Sequence, residues 1–308
     1  MRLKNFNEDA LSENYKKSEK IMGIRLMIYY IIFIAIIFNS IADTKVTGNI
    51  VQEKAICDAK NTGPYWIINH LKSNNTFYLS PEKKNIILKR WETAITGANN
   101  ANRPIPILES IPAKETALIV IDMQKAFLDI GASIEIPDGR KIIDNINAIS
   151  NKMRDRGGLV IFFRYIVDGK NDGLLPLFEK KSYLDPKRLS PIEALKQGNS
   201  QFELHSDLSV NQSKDIIMNK NRYSAVLGSN IVDVLRKKRI QNVIVTGVST
   251  DVCAGNTAES LMQEDFNVIM VWDGTAALDR LEHEIYLARI FGLYGDVMPT
   301  FEVIDRIY

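Results

Sequence analysis

The chain reads as an α/β protein, a parallel sheet covered by helices on both faces. Two observations predict this. From Thr116 onward, short apolar runs alternate with amphipathic helical patterns. The runs are apolar throughout rather than at every second residue, which marks strands buried on both faces. Six such runs can be counted. With 308 residues and 45% hydrophobic content, the chain can build a sizeable core, in one large domain or two smaller ones.

Residues 1–42 stand apart. Leu26 to Phe38 is an uncharged apolar run, preceded by Lys16, Lys17, Lys20 and Arg25. It is short of the roughly 20 residues a membrane span needs. It fits the core of a signal peptide, and Ser40-Ile41-Ala42 supplies small residues for cleavage before Asp43. A start at Met22 makes that peptide compact. The expectation is an exported protein, periplasmic or secreted. The alternatives are a retained membrane anchor, with the rest of the chain outside the cytoplasm, and a buried core helix.

Residues 43–110 form a second region, expected to be a helical extension packed on the main domain. Tyr65 to Leu71 is a short apolar helix or strand. Ser80-Pro81-Glu82 is a helix start of N-cap, first-turn proline and acid. The helix from there to Ala98 places Ile86, Ile87, Trp91 and Ile95 near one face. Gly97 to Pro104 has the composition of a linker. Asn74-Asn75-Thr76 is formally a glycosylation triplet.

The main domain, residues 111–308, follows in order. Ala117–Ile121 is a strand and Lys141–Arg156 an amphipathic helix stopped by Gly157-Gly158. Leu159–Phe163 is the next strand. Residues 164–213 are too long and mixed for a plain connector, as binding loops are. Asp215–Met218 is a strand, Ser229–Lys238 a helix, Val243–Gly247 a strand, Cys253–Gln263 a helix and Asn267–Trp272 a strand. Asp279–Phe291 is a helix and Thr300–Ile304 the last strand.

Bulk numbers exclude some functions. The 39 basic and 37 acidic residues nearly cancel, so nucleic acid is not an expected partner. Cys57 and Cys253 are the only cysteines, too few for a disulfide framework, although an exported chain could pair them. His70, His205 and His283 lie far apart without metal-ligand spacing. No metal and no cofactor are expected.

In parallel α/β sheets, ligands bind beyond the carboxyl ends of the strands. Asp122, Lys220 and Cys253 each follow a strand and so share that rim. A thiol, a carboxylate and an ammonium can serve as nucleophile, base and electrostatic partner. Lys220 and the start of its own helix are expected to lower the Cys253 thiol below its usual pKa of about 8.5. Asp251 is the expected N-cap of that helix. The backbone N–H groups of Ser249 and Cys253 are candidates for an oxyanion hole. Phe127, Arg164 and Tyr165 are candidate substrate contacts.

These motifs carry a resemblance. Ala117-Leu-Ile-Val-Ile-Asp122-Met-Gln124-Lys-Ala-Phe127, Asn219-Lys220-Asn-Arg222-Tyr-Ser224-Ala225, Thr246-Gly-Val-Ser-Thr-Asp-Val-Cys253 with Thr257-Ala258, and Val271-Trp-Asp273 occur in register over some 190 residues. Residues 115–305 resemble the isochorismatase-like cysteine hydrolase superfamily. The resemblance implies a six-stranded Rossmann-like three-layer fold, an Asp122–Lys220–Cys253 triad, a cis peptide at Val248–Ser249 and a homo-oligomer. Arg164 to Asn199 contains no histidine, which argues against the metal-binding nicotinamidase branch. Val226 and Ala254-Gly255 depart from the bulkier residues usual there and either widen the pocket or repack it.

The expected function is hydrolysis of a C–N bond in a small amide, ureide or imide through a thioester. The alternatives are an isochorismate-type vinyl-ether hydrolase and a catalytically silent protein that binds a small molecule. Membrane association is expected only if the N-terminal segment is retained.

Overall fold

The computed structural model describes residues 62–73, 79–167 and 189–308. Ala59–Tyr308 forms one compact unit. The N-terminal segment of residues 1–42, Cys57, the Asn74–Thr76 triplet and part of the long 164–213 segment lie outside the described residues.

In chain order the elements are α1 (Gly63–Ser73), α2 (Pro81–Asn100), β1 (Thr116–Ile121), α3 (Lys125–Leu128), α4 (Ile143–Asp155) and β2 (Leu159–Tyr165). Then come α5 (Leu189–Ala194), β3 (Ile216–Lys220), α6 (Ala225–Gly228), α7 (Ile231–Lys237) and β4 (Asn242–Val248). The last are α8 (Gly255–Gln263), β5 (Asn267–Ala276), α9 (Arg280–Leu293), β6 (Asp296–Met298) and α10 (Thr300–Arg306). The strands form one six-stranded sheet in the order β3-β2-β1-β4-β5-β6, and every pairing is parallel.

Strand alternation divides the core. Ala117, Ile119 and Ile121 of β1 join one apolar cluster with Ile161, Phe163, Val243 and Val245. Leu118 and Val120 join a second with Val160, Phe162 and Ile244. Successive side chains of a strand point to opposite faces, so a run with no polar residue fills both helical layers at once.

The first cluster also takes in α1 and α2 through Ile67, Ile87, Trp91 and Ile95. Ser80 caps α2, its hydroxyl accepting the Lys83 N–H at 3.4 Å. Ile86 is 45% exposed and does not share the buried face expected for it. One helical step, about 100°, carries it off the stripe that Ile87, Trp91 and Ile95 hold. Glu284 of α9 is fully buried and accepts from both Trp91 Nε1 at 3.0 Å and Trp272 Nε1 at 3.1 Å, while Arg280 balances its charge. Arg103, in the connector after α2, reaches the Asp296 carboxylate at 3.1 Å.

The C-terminus differs from expectation. Thr300–Ile304 is not a strand but the start of α10, and the edge strand is the shorter Asp296–Met298. Pro299 has no N–H to extend the ladder. Asp273 Oδ1 then accepts both the N–H and the hydroxyl of Thr300 at 2.7 Å, satisfying a free donor of the helix start.

Candidate active site

The chain builds β1, β2 and β3 outward to one edge, then returns to lay β4 on the other side of β1. The direction of winding therefore reverses between β1 and β4, where a crevice opens at the carboxyl ends of parallel strands. Asp122 is the first residue beyond β1. Its N–H donates to the Phe163 carbonyl at 3.1 Å, and its φ is +53°, a left-handed conformation that aspartate tolerates better than most residues. Opposite it, Gly247 has a φ of +103°. A Cβ there would lie 2.1 Å from the Ile121 carbonyl oxygen, so only glycine lets the two strand ends approach this closely.

β4 leads into the turn that carries Cys253. The Val248–Ser249 peptide is cis, and Thr250–Ala254 forms a π-helical turn before α8. The N–H groups of Val252 and Ala254 both donate to the Ser249 carbonyl, at 3.1 and 3.0 Å. Ser249, not Asp251, stands at the head of this turn; the Asp251 carboxylate instead accepts the Ser249 hydroxyl.

Two threonines fix the turn in place. Thr250 Oγ1 meets His283 Nδ1 of α9 at 2.8 Å. His283 is buried, and burial, then the Arg280 charge, holds its imidazole well below the usual pKa. It is therefore a neutral anchor. Thr257 donates to the Cys253 carbonyl at 2.7 Å and accepts the Ala225 N–H at 3.0 Å. One hydroxyl thus ties the Cys253 turn to the segment that follows Lys220.

Lys220 ends β3, two strands away from β1. Strands lie about 4.8 Å apart, so only a long side chain can bridge that gap. It passes the Tyr165 ring, with Nζ 4.6 Å from its centroid. Nζ ends 2.7 Å from Asp122 Oδ2 and donates to the Arg222 carbonyl at 3.0 Å. Both Asp122 carboxylate oxygens are buried, and the side chains of Lys220 and Cys253 act on them. Cys253 is a free, buried thiol close enough to both ionic groups for each to act on its proton.

Electrostatics correct one expectation. The Cys253 thiol is not lowered: burial pushes it well up, Lys220 pulls it back, and the Asp122 charge raises it again. Cys253 also precedes α8, which begins at Gly255. Burial raises Asp122 above the ordinary carboxylate range, with Lys220 opposing. Lys220 is penalised by burial, yet the neighbouring Asp122 and Cys253 hold it above its usual value. The resting arrangement is a neutral thiol beside a carboxylate–ammonium pair.

A cavity of about 730 Å³ opens onto Cys253. Phe127 and Tyr165 line it, together with Ser249, Asp251 and Tyr223. Arg164 does not. It points to the other side of β2, where Nη1 meets Glu203 and Nε meets Asn219, both at 3.0 Å, and its guanidinium lies over Phe202. Neighbouring strand residues face opposite ways, and Tyr165 holds the inward position. Val226, Ala254 and Gly255 do not line the cavity. A Cβ on Gly255 would meet Tyr286 at 2.1 Å, so this departure fits a close helix contact rather than a wider pocket.

Sequence reasoning left several contributors without a role. Tyr223 stood inside a quoted motif without being singled out. So did Gln124, whose amide donates to the carbonyls of Tyr165 and Phe202 at 3.1 and 2.8 Å and accepts the Tyr165 N–H at 2.6 Å, fixing the end of β2 beside Asp122. Thr250 and His283 are far apart in sequence and carry no shared signal. His70 stacks on Trp66, and His205 lies 3.6 Å from Asp129.

The family model of the isochorismatase domain matches residues 116–302. A probable inactive nicotinamidase of Arabidopsis thaliana is 30% identical over 190 residues, covering 61% of this chain and 93% of that protein. A ureidoacrylate amidohydrolase of Caulobacter vibrioides is 32% identical over 184 residues, covering 54% of this chain and 79% of the relative. Among solved structures, a cysteine hydrolase from Pseudomonas syringae pv. phaseolicola superposes with a TM-score of 0.58 at 28% identity, over 64% of this chain and 94% of that one.

Proposed function

The chain belongs to the isochorismatase family of hydrolases, and on that premise we propose that it cleaves a C–N bond of a small amide, ureide or imide through a thioester on Cys253. The observation that carries this reading is the burial of Cys253, Asp122 and Lys220 together at the β1–β4 crevice, with the cavity opening onto the sulfur.

The chemistry follows from the charges. Cys253 Sγ attacks the carbonyl carbon as its proton passes to Asp122, the buried carboxylate hydrogen-bonded to it. A thiol raised by burial needs this concerted transfer, because a free thiolate is scarce at neutral pH. The negative charge leaves Asp122 and builds on the substrate oxygen, where the N–H groups of Ser249 and Cys253 would meet it. Lys220 stabilises the Asp122 carboxylate before it takes the proton and again once it has passed the proton on. Asp122 then protonates the leaving nitrogen, the C–N bond breaks and a thioester remains. Water adds to the thioester and gives a proton to Asp122. The C–S bond breaks, the acid leaves and Cys253 regains its proton.

Two measurements test this. Mass spectrometry of the protein with a panel of amides and ureides should find an acyl adduct on Cys253. Cys253→Ala should abolish turnover while the fold is kept. The second reading is a silent binding protein, favoured by the raised thiol and by a relative described as probably inactive. Saturable ligand binding with neither adduct nor turnover would select it. The proposal includes export and homo-oligomerisation. Intact mass of the mature protein after expression in its source would show or refute cleavage before Asp43, and sedimentation would report the assembly.

A further inference from the structure

The cavity at Cys253 is unusual in its charge. Among the described residues that line it there is no lysine, arginine or histidine. Lys220 is fully buried behind the wall and committed to Asp122. Arg164, Lys196 and Arg222 each adjoin a lining residue in sequence: Arg164 faces away toward Glu203 and Asn219, Lys196 pairs with Glu193, and Arg222 donates to the Asn221 carbonyl. Two carboxylates do line the cavity, Glu135 and Asp251. Glu135 is neutralised by Arg140 at 2.7 Å and accepts the Gly131 N–H at 2.8 Å. Asp251 has the Ser249 hydroxyl and no cationic partner among the described residues. The remaining wall is mostly apolar or aromatic, with Phe127, Ile134, Ile192, Leu195, Tyr223 and Leu278.

From this we infer that the substrate presents a hydrophobic acyl part without negative charge, and that Asp251 excludes carboxylated substrates. The inference rests on the amide-hydrolase reading of the same site. A carboxylate on the ligand would lose its hydration against an apolar wall. Among the described lining residues it would meet no compensating cation and would stand near the Asp251 charge, a repulsion that acts as negative selection. An aryl or branched alkyl group loses only water that it gains by leaving.

The test uses matched pairs: phenylacetamide and benzylurea, each against its para-carboxylated analogue. The expected result is a kcat/KM at least about tenfold higher for the uncharged member of each pair, the scale that one unpaired charge near a binding site sets. In Asp251→Asn that ratio should fall several-fold, whatever happens to the absolute rate. Equal or better turnover of the carboxylated members overturns the inference while leaving amide hydrolysis in place. If none of the four is turned over and no adduct forms on Cys253, the hydrolase reading is in difficulty. Calorimetric binding of the same pairs to Cys253→Ala protein then decides the inference alone: tighter binding of the uncharged members supports it, and equal or tighter binding of the charged members refutes it.

Discussion

Lys220 Nζ stands 2.7 Å from Asp122 Oδ2, and both side chains are withdrawn from water. Removing one partner of such a pair leaves the other buried and uncompensated, which costs about 3–5 kcal/mol. Asp122→Asn and Lys220→Met should each destabilise the protein by that order. The combined variant should be clearly more stable than the sum of the two predicts, because it leaves no lone charge. Urea unfolding of all four proteins measures the coupling; simple additivity would mean that the two groups do not depend on each other.

The pH profile should follow Asp122 and not the thiol. As the proposed base Asp122 would act only when deprotonated, and burial raises it above the ordinary carboxylate range. Activity should therefore fall as pH drops through that raised value, and recover as pH rises. The thiol stays neutral well past pH 7, so its ionisation adds no second rise near the usual thiol value of about 8.5. A kcat/KM profile that climbs with a midpoint close to that value would contradict the assignment of Asp122 as the base.

Gly247→Ala should be among the most damaging single-methyl additions in the domain. The new Cβ would lie 2.1 Å from a backbone oxygen at a φ of +103°, and left-handed strain alone costs about 1–3 kcal/mol for a non-glycine residue. Gly97→Ala is the control: nothing lies within 4 Å of its Cβ position, and in a helix the change should gain about 0.5–1 kcal/mol. Melting temperatures of the two variants should move in opposite directions.

Alkylation offers a direct reading of the thiol. Burial and a raised proton affinity both slow attack on a neutral reagent. Iodoacetamide should modify Cys253 more slowly at pH 7.5 than it modifies a free cysteine in a peptide. A rate above the peptide value would show a preformed thiolate, and with it a resting state unlike the neutral thiol described above.

The strands buried on both faces were legible because their pattern needs no partner to interpret: five consecutive apolar residues in β1 can only be covered twice. Asp122 and Cys253 were legible as rim residues for a similar reason, since each comes after such a run, whereas Lys220 ends the half-exposed edge strand β3. The failures share a physical cause. Thr300–Ile304 has enough apolar residues for a strand, but the side chain that turns it into a helix, Asp273, is supplied from elsewhere in the sheet. Arg164 and Tyr165 are adjacent, and only the fold determines which one faces the cavity. The thiol was expected to be lowered because a nearby cation can be read from sequence, whereas the loss of water around sulfur cannot.

Glu284 receives an indole N–H from Trp91 and another from Trp272, and so links α2 to β5 through a single buried carboxylate. The match to the family model begins at residue 116, yet Trp91 lies outside it. The limit of the family match and the limit of the packed core are therefore different places in this chain. A fragment cut at the former would leave Glu284 one donor short and the apolar side of α9 uncovered.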